Sequence, residues 1–318
     1  MSVMEARDIH ENKPYFAVSD FYKAKFGEKV FKIPVAIAGD CPNRMGLKGM
    51  KTCIFCDEWG SFAYPENQEE SLRKQIELHQ SKVADRYKTK KFLVYFQAYT
   101  TTFTQVKRLK EAFDIALEYE GVVGVVVGTR PDCLSHKLFD IFNELSEKTF
   151  VAVELGVQSF DDKQLEWMRR GHSGQDSINA VTRLKEKCPD VNVGIHLMFG
   201  WPGETNEDII RSAQICNEIK VDNVKLHNLH VLKNTPLQTF YEEGSFKPIE
   251  REEYAKAVGL YLNHLSPKIA IHRLVAIASR WEELVAPQWT KNKMINFQYM
   301  LEYLVNNNYS QGKDYETI

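Results

Sequence analysis

Apolar residues in this chain come in short blocks that alternate with longer stretches where hydrophobic positions recur every three or four residues. Blocks of the first kind predict strands, and stretches of the second kind predict amphipathic helices. On this basis residues 33–39 form a short strand ending in Gly-Asp, 71–83 a helix, and 92–97 a strand followed by a Thr-rich turn. A helix over 105–119 leads to a strand at 122–129. That strand is rich in valine and lacks alternation, as a parallel strand covered on both faces should be. Residues 134–147 read as helical, 150–158 as a strand, 161–170 and 175–187 as helical, 191–199 as a strand and 204–218 as a helix. A strand at 223–230, a helix at 251–265 and a short last strand at 270–273 complete the series.

Six β/α units in series imply a parallel sheet with right-handed crossovers. Six are too few for a closed eight-unit barrel. The expected fold class is therefore α/β, an open partial parallel β/α barrel with a C-terminal helical extension. The expected division is an N-terminal extension over 1–25, a core over 26–268 and a C-terminal extension over 269–318. Residues 1–30 show no clear strand and are expected to wrap the barrel edge. In such sheets chemistry gathers at the C-terminal strand ends and in the loops that follow them. The residues standing there are Cys41, Gln97, Thr129, Gln158, Gly200 and His227.

Composition narrows the setting. A chain of 318 residues with 43% hydrophobic content suffices for one large domain and a small appendage. A net charge of −2 gives no global attraction to nucleic acid or to anionic membrane. The basic run at 86–91 reads as a solvated helix end. No secretory pattern and no stretch of about 20 apolar residues is visible, so a cytoplasmic protein without a membrane partner is expected. In that compartment cysteines stay reduced, and a close cluster of them suggests metal rather than disulfides.

Such a cluster exists in CPNRMGLKGMKTCIFC, residues 41–56, directly after the first strand. Cys53 and Cys56 form a C-x2-C pair, and Cys41 precedes Cys53 with eleven residues between them. Gly46 and Gly49 let the loop fold back so that the three thiolates converge. Three thiolates suit a soft metal and leave an open position, whereas structural zinc and electron-transfer clusters usually have four protein ligands. The alternative is a zinc clip completed by a distant His. Cys188 and Cys216 read as packing residues in or near helices, and Cys133 follows a strand end from which it could approach the site.

The loop resembles the radical S-adenosylmethionine (SAM) superfamily, whose common signature is C-x3-C-x2-C with an aromatic before the last cysteine, as Phe55 stands here. The longer first gap resembles the branch of the Elongator catalytic subunit. GTRPDCL at 128–134, ELGVQSFDDKQLEWMRRGH at 154–172 and HLMFGWPGET at 196–205 resemble that branch and oxygen-independent coproporphyrinogen oxidase. With FQAYTTTF at 96–103 and KLHNLHVLKNTPL at 225–237, the chain from about 20 to 310 is similar to the YhcC-like group of bacterial radical SAM proteins.

The resemblance implies a [4Fe–4S] cluster on Cys41, Cys53 and Cys56, with SAM chelated by the open iron. It further implies SAM contacts by Gln158 and Arg170, where an amide suits a ribose and a guanidinium a carboxylate. His196 falls at the position of a ribose-side aspartate. The usual Gly-Gly-Glu motif is replaced by residues 96–100, from which Gln97 and Tyr99 are the candidate contacts. Gly200, Pro202 and Gly203 form a tight turn where backbone can approach adenine, and Glu204 opens the next helix. Lys225, His227 and His230 are candidate substrate-side groups. Arg273, Arg280, Trp281 and Trp289 either cap the barrel mouth or pack in the core.

The implied activity is reductive cleavage of SAM to a 5′-deoxyadenosyl radical that abstracts hydrogen from a substrate. It needs an electron donor such as flavodoxin or ferredoxin, and its substrate is a small molecule or a tRNA, the latter an RNA modification. The competing readings are an iron–sulfur or zinc-binding scaffold and an RNA-associated protein without radical chemistry.

Overall fold

The structure, a computed structural model, describes residues 13–60, 62, 64–278 and 281–316. The chain divides into two compact units, Tyr22–Ile195 and residues 1–21 together with His196–Ile318. A seven-stranded parallel sheet, of the open partial β/α barrel class expected, carries its strands in chain order and leaves out the short strands Val231–Leu232 and Leu284–Ala286.

In the first unit the strands are β1 (Val30–Val35), β2 (Lys91–Phe96), β3 (Val122–Thr129), β4 (Phe150–Gln158) and the start of β5 (Asn192–Phe199). The strands at 122–129 and 150–158 fall where the hydrophobic pattern put them, and that at 270–273 does the same. The first strand is displaced. It runs over Val30–Val35, because the Ala-Gly-Asp segment beyond it turns into the cysteine loop. Pro34 lacks an N–H, which an edge strand such as β1 tolerates. Helices α1 (Val18–Phe26), α2 (Leu72–Tyr87), α3 (Val106–Leu117), α4 (His136–Ser146), α5 (Asp162–Trp167) and α6 (Gly174–Lys187) lie before and between these strands in the sequence. The entry of α6 is set by a capping box, in which Ser173 and Asp176 satisfy each other's backbone amides.

Curvature of the sheet in this unit is visible in one contact. Lys32 on β1 is bonded to the buried carboxylate of Glu154 on β4. Neighbouring strands lie about 4.8 Å apart, so β1 and β4 of a flat sheet would be about 14 Å apart. The pair can form only because the strands curl toward each other. Lys32 also sits 4.9 Å from the Tyr95 ring centroid. Burial lowers the lysine pKa, and Glu154 opposes that shift.

In the second unit lie the rest of β5, α7 (Asn206–Glu218), β6 (Asn223–Asn228), β7 (Val231–Leu232), α8 (Pro236–Glu242), α9 (Arg251–His264), β8 (Ala270–Arg273), β9 (Leu284–Ala286) and α10 (Lys293–Asn306). β7 and β9 form a short antiparallel ladder of their own. β8 is the last strand of the sheet, and its outer edge is covered. Ile271 N–H donates to the Phe16 carbonyl at 2.8 Å, and Gln311 accepts from Phe16 N–H at 2.8 Å. Covering an edge in this way removes a template for unwanted pairing. Residues 13–30 therefore do more than wrap. They contain the helix α1, the isolated bridge of Ala17 with Ile271 and the first residue of β1. Of the aromatic C-terminal residues, Trp289 packs on Tyr254 and donates to the Ile249 carbonyl at 3.1 Å, whereas Trp281 is 61% exposed. Ser279 and Arg280 lie outside the described residues.

Removing one partner of a buried ion pair leaves an uncompensated charge, while replacing both by apolar groups is often neutral. Lys32→Met is expected to cost about 3 kcal/mol, and Lys32→Met with Glu154→Leu to recover most of that loss, as measured by urea unfolding. Equal losses in the single and double variants would contradict this role.

Candidate functional site

The cysteine loop follows β1 and is fixed by groups from the segment after α5. Ile54 N–H donates to Met168 O at 3.2 Å. The Asn43 side-chain amide donates to Lys51 O at 3.0 Å and also to Arg169 O. Met50 rests on Gly171, where φ is +70° and an added Cβ would lie 2.4 Å from the Met50 sulfur. Only glycine suits both the left-handed backbone and that close contact.

At the centre stands Arg130, on the residue just past β3, with only 4% of its surface exposed. It holds the Asp132 carboxylate with two hydrogen bonds of 2.9 Å, donates to Arg170 O at 2.7 Å and donates to the Asn43 side-chain oxygen. Burial raises the Asp132 pKa, but the hydrogen bonds and charge of Arg130 outweigh it and leave the carboxyl below its ordinary value. A planar guanidinium can serve three acceptors at once, which an ammonium cannot match in geometry.

The structure brings the three loop cysteines within electrostatic reach of one another. The Cys56 thiol is pushed up to about 12, first by burial and then by Cys53 and Asp57, with Arg44 opposing and Cys41 adding. The Cys53 sulfur lies 3.3 Å from Arg170 Nη1 and 3.5 Å from the Asn43 amide nitrogen. Cys133, likewise pushed up to about 12 by burial and by Asp132, feels the charge of Cys41. All are free thiols, and Cys188 and Cys216 are buried as packing residues. Among the described residues no group of three or more His, Cys, Asp or Glu is arranged to hold a single metal ion.

Gln158 and Arg170 converge above Gly156. A Cβ there would lie 3.0 Å from Gln158 Nε2 and 3.4 Å from Arg170 Nη2, and Arg170 Nη2 donates to Gly156 O at 2.7 Å. Gln158 ends β4 with φ +70°, an unfavourable backbone for a side-chain-bearing residue and one found at functional positions. Its Oε1 and the Arg170 Nε are buried without a hydrogen-bond partner. Buried polar atoms of this kind mark where a polar ligand fits. The Cys53 thiol beside Arg170, with Cys41 and Cys56 in electrostatic reach, is a soft donor set that suits an iron–sulfur cluster with a polar ligand at its side.

Tyr99, with φ +53°, turns to the loop instead. Its hydroxyl donates to Glu58 O at 2.8 Å, and its ring lies 5.4 Å from the Arg44 guanidinium. Gln97 begins the turn after β2, its N–H donating to Val35 O at 3.1 Å. Asn43, Arg130 and Asp132 were not singled out from the sequence. The available signal was the Arg-x-Asp spacing at a strand end within GTRPDCL.

The second unit holds the other candidates. Gly200 has φ +102°, and a Cβ would lie 2.9 Å from Ile249. Its N–H donates to Glu204 at 2.7 Å, so Glu204 closes the turn before α7, whose own cap is Thr205 with Asp208. His196 stacks on His227 with ring centroids 5.2 Å apart. Arg273, on β8, donates to His227 at 2.7 Å.

These features define a class, the partial β/α barrel proteins with a three-cysteine loop behind the first strand. The radical SAM superfamily model matches residues 38–216, and the Radical_SAM C-terminal domain model matches residues 221–305. The chain belongs to the radical SAM superfamily. It is 30% identical to YtqA of Bacillus subtilis over 306 residues, covering 96% of this chain and 94% of that protein. It is 34% identical to YhcC of Escherichia coli over 281 residues, covering 88% and 89%. The expected YhcC-like branch is thus borne out. Among solved structures, archaeal Elp3 of Methanocaldococcus infernus with an N-terminal deletion aligns with a TM-score of 0.65 at 21% identity. That alignment covers 89% of this chain and 64% of Elp3, and it speaks for the fold. No helix among the described residues is long and apolar enough to cross a membrane.

Two outcomes follow. Arg130→Met strips Asp132, Asn43 and the Arg170 carbonyl of their partner. It should lower stability by about 3–5 kcal/mol, with Arg130→Lys recovering only part, as read by thermal melts of the cluster-free chain. A melt unchanged by Arg130→Met would contradict the account. Burial pushes Glu204 up to about 8 against the Gly200 and Trp201 amides that lower it. The folded chain therefore keeps a proton that the unfolded chain releases near the ordinary carboxyl value of 4.5, and stability falls as pH rises from about 4.5 to 8. Glu204→Gln should flatten that slope and melt higher than the wild type at pH 8, with no gain at acid pH; parallel curves would refute it.

Proposed function

We propose that this protein is a radical SAM enzyme whose Cys41, Cys53 and Cys56 carry a [4Fe–4S] cluster, acting in the cytoplasm with its core over residues 26–268. The observation that carries the reading is the cysteine loop locked beside Arg170 and Gln158, in a chain that belongs to the radical SAM superfamily. Bound to these cysteines, a [4Fe–4S] cluster would supply the single electron for reductive cleavage of SAM to methionine and a 5′-deoxyadenosyl radical, which would take hydrogen from a substrate.

The chain's own residues bind and orient. Arg170 offers a guanidinium to the SAM carboxylate and Gln158 an amide to its ribose. Gln97, in the turn after β2, adds an amide to these polar surroundings. Arg130 and Asn43 act one step further back. They position the loop and Arg170. No side-chain general base is needed for SAM cleavage. The electron donor is a flavodoxin or ferredoxin.

The test is anaerobic reconstitution with iron and sulfide, then dithionite and SAM, with 5′-deoxyadenosine quantified. The wild type should form it, and the Cys53→Ala, Cys56→Ala double variant should form none. A stable cluster that never yields 5′-deoxyadenosine would favour the scaffold reading instead.

A further inference from the structure

The cysteine loop has an outer side that the candidate site does not use. Between Cys41 and Cys56 it carries Arg44, Lys48 and Lys51 and no acidic residue, in a chain whose net charge is −2. Arg44 is engaged by its own neighbours, donating to Asp57 O at 2.9 Å and lying 5.4 Å from the Tyr99 ring centroid. Lys48 and Lys51 are exposed, and Met45 and Leu47 beside them are 54% and 41% exposed. The loop's own backbone bonds hold this tip in place. Met45 N–H donates to Cys41 O and Leu47 N–H to Pro42 O, each at 3.1 Å, and Met50 N–H donates to Leu47 O at 3.0 Å. Gly46, Lys48 and Gly49 have φ of +66°, +52° and +77°. For a lysine that is an unfavourable backbone, of the kind kept at functional positions.

We propose that Met45, Leu47, Lys48 and Lys51 form the docking surface for an acidic one-electron carrier protein that reduces the cluster. The proposal rests on the radical SAM reading for the presence of that cluster.

The argument begins with position. Electron transfer between proteins weakens steeply with distance, so a carrier must touch the chain close to the cluster. Cys53 faces Arg170 and Asn43, the side given to SAM. Met45 and Leu47 lie one backbone turn outside Cys41, so a protein resting on them stands next to a cluster ligand. Composition then selects the partner. Exposed apolar side chains rimmed by charge mark a protein contact, and methionine adapts readily to the surface it meets. Two lysines complement an acidic surface and speed the encounter, while so small a patch suits a carrier that must leave after delivering its electron. A nucleic-acid strand calls for aromatic side chains on which bases stack, and residues 45–51 hold none. In the transfer one electron leaves the carrier, which is oxidised, and enters the cluster, which is reduced. No bond is made or broken.

The experiment uses the reconstituted full chain and, as probe, flavodoxin reduced by its NADPH-dependent reductase. Bleaching of the cluster's visible absorbance gives the rate of reduction, interferometry gives flavodoxin binding, and 5′-deoxyadenosine is measured on the same samples with SAM. Lys48→Glu with Lys51→Glu, and separately Leu47→Ser, are expected to slow flavodoxin-driven reduction and weaken binding by about tenfold, with dithionite-driven reduction unchanged. Added salt should slow the wild type and leave the charge variant nearly unaffected. Lys90→Glu is the control and changes neither rate. It precedes β2, whose Lys91 pairs with Val30 at the start of β1, so it lies at the other end of the sheet from the loop. Circular dichroism melts identify a variant that fails to fold, and the other then decides. Flavodoxin-driven rates equal in wild type and variants, or a wild type reduced by dithionite and not by flavodoxin, would overturn the docking surface. So would a short RNA that displaces flavodoxin and loses its affinity with the two lysines, which would give the face to a substrate strand. Cluster reduction by flavodoxin without 5′-deoxyadenosine would sink the radical reading alone. 5′-Deoxyadenosine formed equally by wild type and variants with flavodoxin would sink this proposal alone.

Discussion

A buried guanidinium must find acceptors, and Arg130 finds them on three separate stretches of chain. Asp132 lies at the end of its own strand, Asn43 inside the cysteine loop, and the Arg170 carbonyl beyond α5. Each acceptor would be costly to leave unpaired, so the three stretches are fixed together. The consequence reaches the candidate site directly. With Asn43 and Arg170 both tied to Arg130, Cys53 is held between the Arg170 guanidinium and the Asn43 amide. The protein thus holds the loop in place through its own bonds, which is how supporting residues fix the geometry of a metal-binding set.

The electrostatics of the first unit have two opposing parts. Burial and mutual proximity hold the Cys56 thiol protonated, up to about 12, whereas two buried arginines stand by to favour negative charge. Thiolate ligands must lose their protons on binding metal, so such a site is balanced between an inert thiol form and a loaded form. The second unit is arranged otherwise. There the turn before α7 is closed by Glu204, a carboxyl that burial pushes up to about 8.

Much of the fold was legible in the sequence because parallel strands buried on both faces leave unbroken apolar blocks. Residues 122–129 and 150–158 show this to the residue. The helix Val18–Phe26 escaped because its apolar positions are few and it buries only Tyr22. The helix Pro236–Glu242 escaped because it is short and buries only Leu237. The cysteines, Gln158 and Arg170 could be read from spacing and resemblance. Arg130 and Asn43 could not, since their importance lies in meeting across 87 residues of chain, a tertiary fact with no local period. Arg273 stands at the end of the strand expected there, yet its contact with His227 was not legible for a related reason. A four-residue strand at 270–273 gives too little pattern to show which way its last side chain points.

The most direct test of the central claim is Mössbauer spectroscopy of the chain reconstituted with enriched iron, before and after SAM is added. Three protein ligands on a [4Fe–4S] cluster leave one iron of the four open, and only that iron should change its spectrum when SAM binds. The account predicts such a single-site change in the wild type and its loss when Arg170 is replaced by methionine. An intact cluster whose spectrum SAM leaves untouched, or a chain that takes up zinc and refuses iron, would contradict it.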